Sequence, residues 1–297
     1  MYALSDLQLF LRTAETNNLS AAARQLHVTP AAASAALKRL EQSLEVRLFE
    51  RSTRALRLTP EGEVFRDYCA RALGVLADGE AQVKQGRRAL AGVVHLAAPT
   101  DLTRTVLLPW LDEFQAEYPE VELVIHVSDA VQDLLRDTIQ LALRYGNLPD
   151  SRLQARQLHP GQRVLAAAPA YLDQHGYPQQ PQQLTEHSCL TFYTQGQVNK
   201  RWTFYQGTKP IVVNVHGQRS CDDSSLARLW AVEGRGLIYK SGLELSTDLQ
   251  TGRLQALLPD YGTEAAPLSA VYAGTQYLPL RVRVLLDFFV GKFATLS

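Results

Sequence analysis

The chain has 297 residues, 46% of them apolar and 20% charged, with 30 Lys and Arg balanced by 30 Asp and Glu. That length suits two or three compact units, and no apolar run approaches the roughly 18 residues needed to span a bilayer. Three cysteines in so long a chain point to a reduced compartment. The N-terminal stretch carries Asp6 and Arg12 and lacks a cleavage-like site, so the expected location is the cytoplasm.

Leu7, Phe10, Leu11 and Ala14 have the spacing of an amphipathic first helix. Ser20 is expected to cap a second, Ala-rich helix that ends near Leu26. Thr29-Pro30 reads as an N-cap and an N1 proline opening a third, with Ala33, Leu37, Leu40 and Leu44 as its buried stripe. Leu48–Phe49 and Leu56–Leu58 flank the polar tip Arg51-Ser52-Thr53-Arg54, as in a two-stranded wing. Two helices joined by a tight turn, followed by a basic segment, suit entry into a DNA groove. Net charge is zero, yet residues 1–58 carry eight Lys and Arg against five acids, and a duplex responds to the local face.

Thr59-Pro60-Glu61 repeats the cap signal and opens a helix expected to run to about Arg88. Phe65, Cys69, Ala72, Leu76, Gly79 and Val83 follow a 4,3 spacing that reads as a seam for a second copy; packing on its own domain is the alternative. From Gly92 the pattern becomes βαβαβ: strands at 93–97, 121–127 and 139–143 alternate with helices near 102–118 and 131–137, which predicts a mostly parallel sheet. Further strands are expected at 163–168, 189–192, 202–205, 211–215, 236–239 and 270–272. Helices are expected at 224–233 and 279–293.

The residues LSAAARQLHVTPAAASAALKRLEQSLEVRLFERSTRALRLTPEGE resemble the LysR-type transcriptional regulators almost position for position. The segments LALRYGNLPDSRL and GRLQALLPDY look like its CrgA-like subgroup. The resemblance implies an α+β multidomain chain. It has a winged helix-turn-helix over 1–58, a linker and dimerisation helix over 59–91, and an effector domain like a periplasmic binding protein over 92–297. The two lobes of the latter are expected at about 92–162 with 267–297, and at about 163–266. It implies a sequence-specific, non-enzymatic regulator forming homodimers or homotetramers. The implied partners are promoter DNA and a small-molecule effector, with RNA polymerase open as a further one.

Carried onto this chain, Ser20, Thr29, Pro30, Ala31, Ser34, Ala35 and Lys38 lie on or near the DNA face. The family pattern more often has glutamine and proline where Pro30 and Ala31 stand, so polar base readers are scarce here. Methyl contacts from Ala31 or Ala35 and the hydroxyls of Thr29 or Ser34 are left for direct readout. Phosphate contacts fall to Lys38, Arg39 and Arg51, with Arg54 reaching a minor groove.

Ligands of open α/β sheets bind outside the carboxyl ends of the strands. That rule, like the resemblance, selects Thr100, Asp101, Ser128, Arg144 and Tyr145, and in the other lobe Phe192, Thr194, Cys221 and Asp222. Thr100 and Ser128 beside helix N-termini would seat a carboxylate, though Thr100, Ser128 and Asp222 are equally ordinary caps. Asp101 and Asp129, if they pointed inward, would repel an anion. Cys221 before a helix is a candidate activated thiol, with Cys189 as its candidate redox partner; a small buried side chain is the plainer reading. The seven histidines show no metal-ligand spacing. No P-loop, GxGxxG or GxSxG occurs, and neither a cofactor nor a metal is expected. The rival class is an enzyme or solute-binding protein carrying a helical interaction module.

Overall fold

The computed structural model describes residues 2–51, 56–84, 90–129, 139–146, 153–194, 197–273 and 278–296. They form two compact units, residues 1–89 and 90–297.

The first unit opens with α1 (Leu4–Thr16), α2 (Leu19–Gln25) and α3 (Pro30–Leu44). Asn18, not Ser20, caps α2: its Oδ1 accepts from the Ala21 N–H at 3.0 Å, which places Ser20 one residue inside the helix. Thr29 caps α3 through Oγ1 to the Ala32 N–H, with Pro30 at the first helical position. Ala22, Ala23, Ala33 and Ala36 are buried together with Leu9. Alanines at that meeting point let α2 and α3 approach closely. A second cluster of Phe10, Leu37, Leu40, Leu48, Phe49 and Cys69 places the Phe10 ring 5.5 Å from Phe49 and 5.4 Å from Phe65.

Strands β1 (Phe49–Arg51) and β2 (Leu56–Leu58) pair antiparallel. Glu41 of α3 anchors this hairpin, since its Oε1 accepts from the N–H groups of Leu48 at 2.8 Å and Phe49 at 3.3 Å. Helix α4 (Pro60–Lys84) follows. Thr59 Oγ1 accepts from the Gly62 N–H and donates to the Arg47 carbonyl. A Cβ on Gly62 would sit 2.1 Å from the Leu48 carbonyl oxygen, so only glycine allows this crossing. The expected seam divides: Phe65 and Cys69 pack into the unit's own core, while Ala72, Leu76 and Gly79 are exposed. The rest of the expected helix, 85–88, lies outside the described residues.

The second unit holds two α/β lobes. In lobe I, β3 (Gly92–Ala98) leads through α5 (Thr100–Leu102) and a π turn (Thr103–Leu107) into α6 (Leu108–Glu117), continuous helix throughout. Strands β4 (Val121–Val127), β5 (Leu141–Tyr145) and β6 (Leu153–His159) follow; the helix expected near 131–137 lies outside the described residues. Lobe II begins with β7 (Arg163–Ala167) and α7 (Pro169–His175). After a 3-10 turn (Pro181–Glu186) come β8 (Cys189–Thr194), β9 (Gln197–Val198), β10 (Arg201–Gln206), β11 (Lys209–Asn214) and β12 (Ser220–Cys221). Helix α8 (Ser224–Val232), β13 (Leu237–Ser241), α9 (Gly242–Gln250), β14 (Gln255–Ala256) and β15 (Gly262–Thr263) complete it. Then β16 (Leu268–Ala273) and α10 (Leu280–Ala294) return to lobe I.

The lobe I sheet runs β4-β3-β5-β16-β6. Its first three strands are parallel, as expected, and β16 is antiparallel to both neighbours, so four of the five strands run one way and β16 alone runs against them. A returning strand enters from the opposite end, which forces that reversal. The lobe II sheet runs β12-β8-β13-β7-β14, beside a small sheet of β11-β10-β15. Lobe I packs its apolar face on α6 and α10, with Trp110 edge-on to Phe293 at 4.9 Å. Two clusters, around Trp202 and Tyr239 and around Ile238 and Leu245, cover the larger lobe II sheet.

Two crossing segments join the lobes: Ala266 N–H donates to the Gly161 carbonyl, and Gln162 bridges Ala265. Gly161 takes φ +48° there, and a Cβ would lie 2.2 Å from the Ala266 carbonyl oxygen. Among the described residues no helix is long and apolar enough to cross a membrane.

Candidate functional site

On α3 the burial pattern separates two faces. Ala33, Ala36, Leu37 and Leu40 are buried; Ala31, Ser34, Ala35 and Lys38 are exposed, as are Thr29 and Pro30 before them. The exposed set recurs at three- and four-residue intervals and so forms one stripe. Ser20, on α2, is exposed. Arg39 is partly committed elsewhere: its Nη2 donates at 2.9 Å to Asp6, a buried carboxylate of α1. The sequence reading missed that tie, because a residue 33 positions away carries no local signal. Arg51 pairs with Leu56 across the hairpin; Arg54 lies outside the described residues.

Between the two lobes lies a cleft of about 300 Å³. Arg144 and Tyr145, at the end of β5, and Phe192 of β8 line it, as expected from the sequence. Asp129, Arg163, Tyr193, Ser224, Lys240, Ser241 and Glu244 line it too. The other expected residues have different placements. Thr100 is buried and its N–H donates to Asp129; Ser128 passes its N–H to the Ala98 carbonyl and accepts from Arg144 Nη1. Cys221 donates its thiol to the Asp223 carbonyl at 3.0 Å, and Asp223, not Asp222, caps α8. Thr194 pairs with Gln197 at the end of β8.

Asp101 is withdrawn from the cleft into a buried ion cluster that spans the lobes. Arg228 of α8 donates to it at 2.9 Å and to Asp248 of α9 at 2.8 Å. Lys240 of β13 stands 3.4 Å from Asp101 and 2.8 Å from Glu244. Burial pushes Asp101 upward although Lys240 and Arg228 pull it down, and burial likewise pushes Glu244 up to about 6.

Asp129 forms a second tie between the lobes. Its Oδ1 accepts from Thr100 N–H at 2.9 Å, and its Oδ2 from Ser224 N–H at 2.7 Å. Burial opposes its charge, but those backbone donors outweigh it and hold the carboxyl below its usual range. Inside the cleft, Arg144 Nη2 is buried and meets no hydrogen-bond partner among the described residues, while the Ser224 hydroxyl stands by Asp129 and that of Ser241 by Tyr145. An unpaired buried polar atom is costly, and a guanidinium nitrogen left so beside a cavity is suited to a ligand that brings an acceptor.

The thiols give no sign of activation. Burial raises Cys221, and pushes Cys189 up to about 12 and Cys69 up to about 11; all three are free. Among the described residues no group of His, Cys, Asp and Glu is arranged to hold a metal.

Comparison with known proteins agrees with this architecture. Residues 4–63 match the family model described as bacterial regulatory helix-turn-helix protein, lysR family, and residues 87–294 match the LysR substrate binding domain. The chain is 31% identical over 288 residues to the HTH-type transcriptional regulator CrgA of Neisseria meningitidis serogroup B (strain ATCC BAA-335 / MC58), covering 97% of this chain and 96% of that protein. It is 28% identical to the HTH-type transcriptional regulator DmlR of Escherichia coli K12, over 98% of this chain and 94% of that one. The solved structure of CrgA superposes with a TM-score of 0.64 at 29% identity, covering 97% and 98% of the two chains. That of the Vibrio cholerae virulence activator AphB gives 0.61 at 26% identity, covering 98% and 99%.

Proposed function

The chain belongs to the LysR family of bacterial helix-turn-helix transcriptional regulators, and from that premise we propose that α3 reads a promoter while a small effector in the interlobe cleft modulates its binding. What carries the first half is the stripe of Thr29, Ala31, Ser34, Ala35 and Lys38, exposed while the opposite face of α3 is buried. Direct readout rests on hydroxyls and on alanine methyls against thymine methyls; Lys38, with the free side of Arg39, holds phosphate.

What supports the second half is the buried Arg144 Nη2, without a hydrogen-bond partner among the described residues, together with the polar groups of Tyr145, Ser224 and Ser241 around the same cavity. An effector supplying an acceptor there relieves the desolvation of Arg144 and bears on both lobes at once. Arg144 and Tyr145 come from lobe I, Ser224 and Ser241 from lobe II. Two copies, each placing one α3 in a major groove, would read half-sites about 34 Å apart.

The test is fluorescence anisotropy with a duplex from the chain's own promoter, titrated with salt and repeated across a metabolite panel. Saturable binding that one metabolite shifts, and that Arg144→Gln makes insensitive to it, is expected. Binding indifferent to every metabolite that stabilises the protein thermally would sink the effector half. Metabolite turnover without DNA binding at low salt would favour the enzyme reading.

A further inference from the structure

Asp6 serves two helices with one carboxylate. It sits in the first turn of α1, where its Oδ2 accepts from the Ala3 N–H at 3.4 Å, the ordinary duty of an acid at that position. Its Oδ1 is turned towards α3 and accepts from Arg39 Nη2 at 2.9 Å. The two side chains differ sharply in exposure, 4% for Asp6 and 60% for Arg39. The carboxylate is therefore fixed inside the unit, while the guanidinium it grips stays at the surface.

Arg39 stands on the rim of the reading face. It follows Ala35 by four residues and Lys38 by one, and all three are exposed, so it flanks the stripe on the side towards α1. A guanidinium carries five N–H donors in a rigid fork. One bond to Asp6 leaves the rest of that fork for a phosphate. A side chain already held in one geometry also loses less freedom when it meets its partner.

We propose that Asp6 is a positioning residue for DNA binding, holding the Arg39 guanidinium ready at the rim of α3 for a backbone phosphate. The proposal rests on the reading that α3 faces the duplex. Charge alone gives the opposite sign: a carboxylate near a DNA-facing helix repels phosphate, so deleting it would strengthen binding if its grip on Arg39 did nothing.

The experiment is a double-mutant cycle on the full chain, read by fluorescence anisotropy with a duplex from its own promoter and an unrelated duplex, each titrated with salt. Asp6→Ala is expected to weaken both complexes alike by about three- to tenfold, the cost of ordering one long side chain, and to lower the salt slope by about 1. Arg39→Ala should lose at least as much, and adding Asp6→Ala to it should bring no further loss. That last comparison separates positioning from a general effect on the fold, which would weaken binding with or without Arg39. Where Asp6→Ala is not recovered folded by circular dichroism, Asp6→Ser keeps an acceptor for the Ala3 N–H but is too short to hold Arg39, and the same cycle decides. A parent that binds neither duplex refutes the reading of α3 itself. A parent that binds, while the Asp6 variant binds more tightly, binds unchanged, loses only the promoter duplex, or loses equally in the Arg39→Ala background, overturns the proposal alone.

Discussion

Lys38 and Arg39 are adjacent in sequence and exposed on the same helix, yet they are not equivalent. Arg39 holds Asp6, while Lys38 projects from the stripe that carries Ser34 and Ala35. Lys38→Ala is therefore expected to weaken operator and non-operator duplexes alike and to reduce the salt slope by about 1, with the fold intact by circular dichroism. An unchanged slope would remove Lys38 from the phosphate contacts. Arg39→Ala should additionally lower Tm, because it strands a buried carboxylate. The histidine pair makes a second residue-scale prediction. His95 Nδ1 and His126 Nε2 lie 3.3 Å apart on neighbouring strands β3 and β4. Burial first, then His126, lowers His95 from its usual 6.5. Below pH 6.5 the unfolded chain therefore binds more protons at this site than the native one, so stability falls with falling pH. Tm measured from pH 7 down to pH 5 should decline, and His95→Gln should flatten the decline. An unaltered slope in that variant would exclude the pair as its source.

At the scale of elements, lobe I and lobe II are tied by charge as well as by the crossing strands at Gly161. Arg228 of α8 satisfies Asp101 at the start of α5 and Asp248 of α9, both fully or nearly buried. Removing Arg228 leaves Asp101 with Lys240 at 3.4 Å and Asp248 with Arg253 at 2.6 Å, so the loss falls at the lower end, about 3 kcal/mol, of what breaking a buried pair costs. Urea unfolding of Arg228→Ala should show a loss of that order; a loss under about 1 kcal/mol, the range of an exposed pair, would mean that water reaches the cluster. This cluster was invisible in the sequence, since its members are separated by up to 147 positions and local spacing records only Lys240 and Glu244. What was legible were the elements with strong local signals: Thr29-Pro30 starting α3, the apolar runs of β3, β4 and β13, and the periodicity of α10. Strand β6, LQARQLH, alternates poorly and is largely exposed, and α7 and α9 are short and follow directly on strands, so their patterns merge with the runs before them. At the cleft, Arg144, Tyr145 and Phe192 were found by the rule of strand ends. Ser241 and Glu244 escaped it because β13 runs straight into α9 with no loop to mark a site. Asp101 was placed in the cleft by the same rule, but a carboxylate one residue inside a helix turns back under it and meets Arg228 and Lys240.

Over the whole molecule, the apolar side chains are partitioned rather than pooled. Residues 1–89 bury Phe10, Leu37, Leu40 and the alanines of α2 and α3 among themselves, and residues 90–297 bury their own clusters within the two lobes. A unit that buries its own core can unfold on its own, and a chain built of two such units departs from a single two-state transition. Within the second unit the reverse holds: the Asp101–Arg228–Lys240 cluster, the Asp129 tie and the Gly161 crossing couple the lobes, so they should melt together. Differential scanning calorimetry of the full chain is expected to resolve two transitions. Arg228→Ala should move only the one assigned to residues 90–297, and a fragment of those residues should reproduce that transition alone. The head's core substitution Leu40→Ala, a large-to-small change costing about 2–5 kcal/mol, should move only the other. A single transition shifted in common by both substitutions would show that the two units share their stability. Ligand binding at the cleft would then act on the head through shared stability.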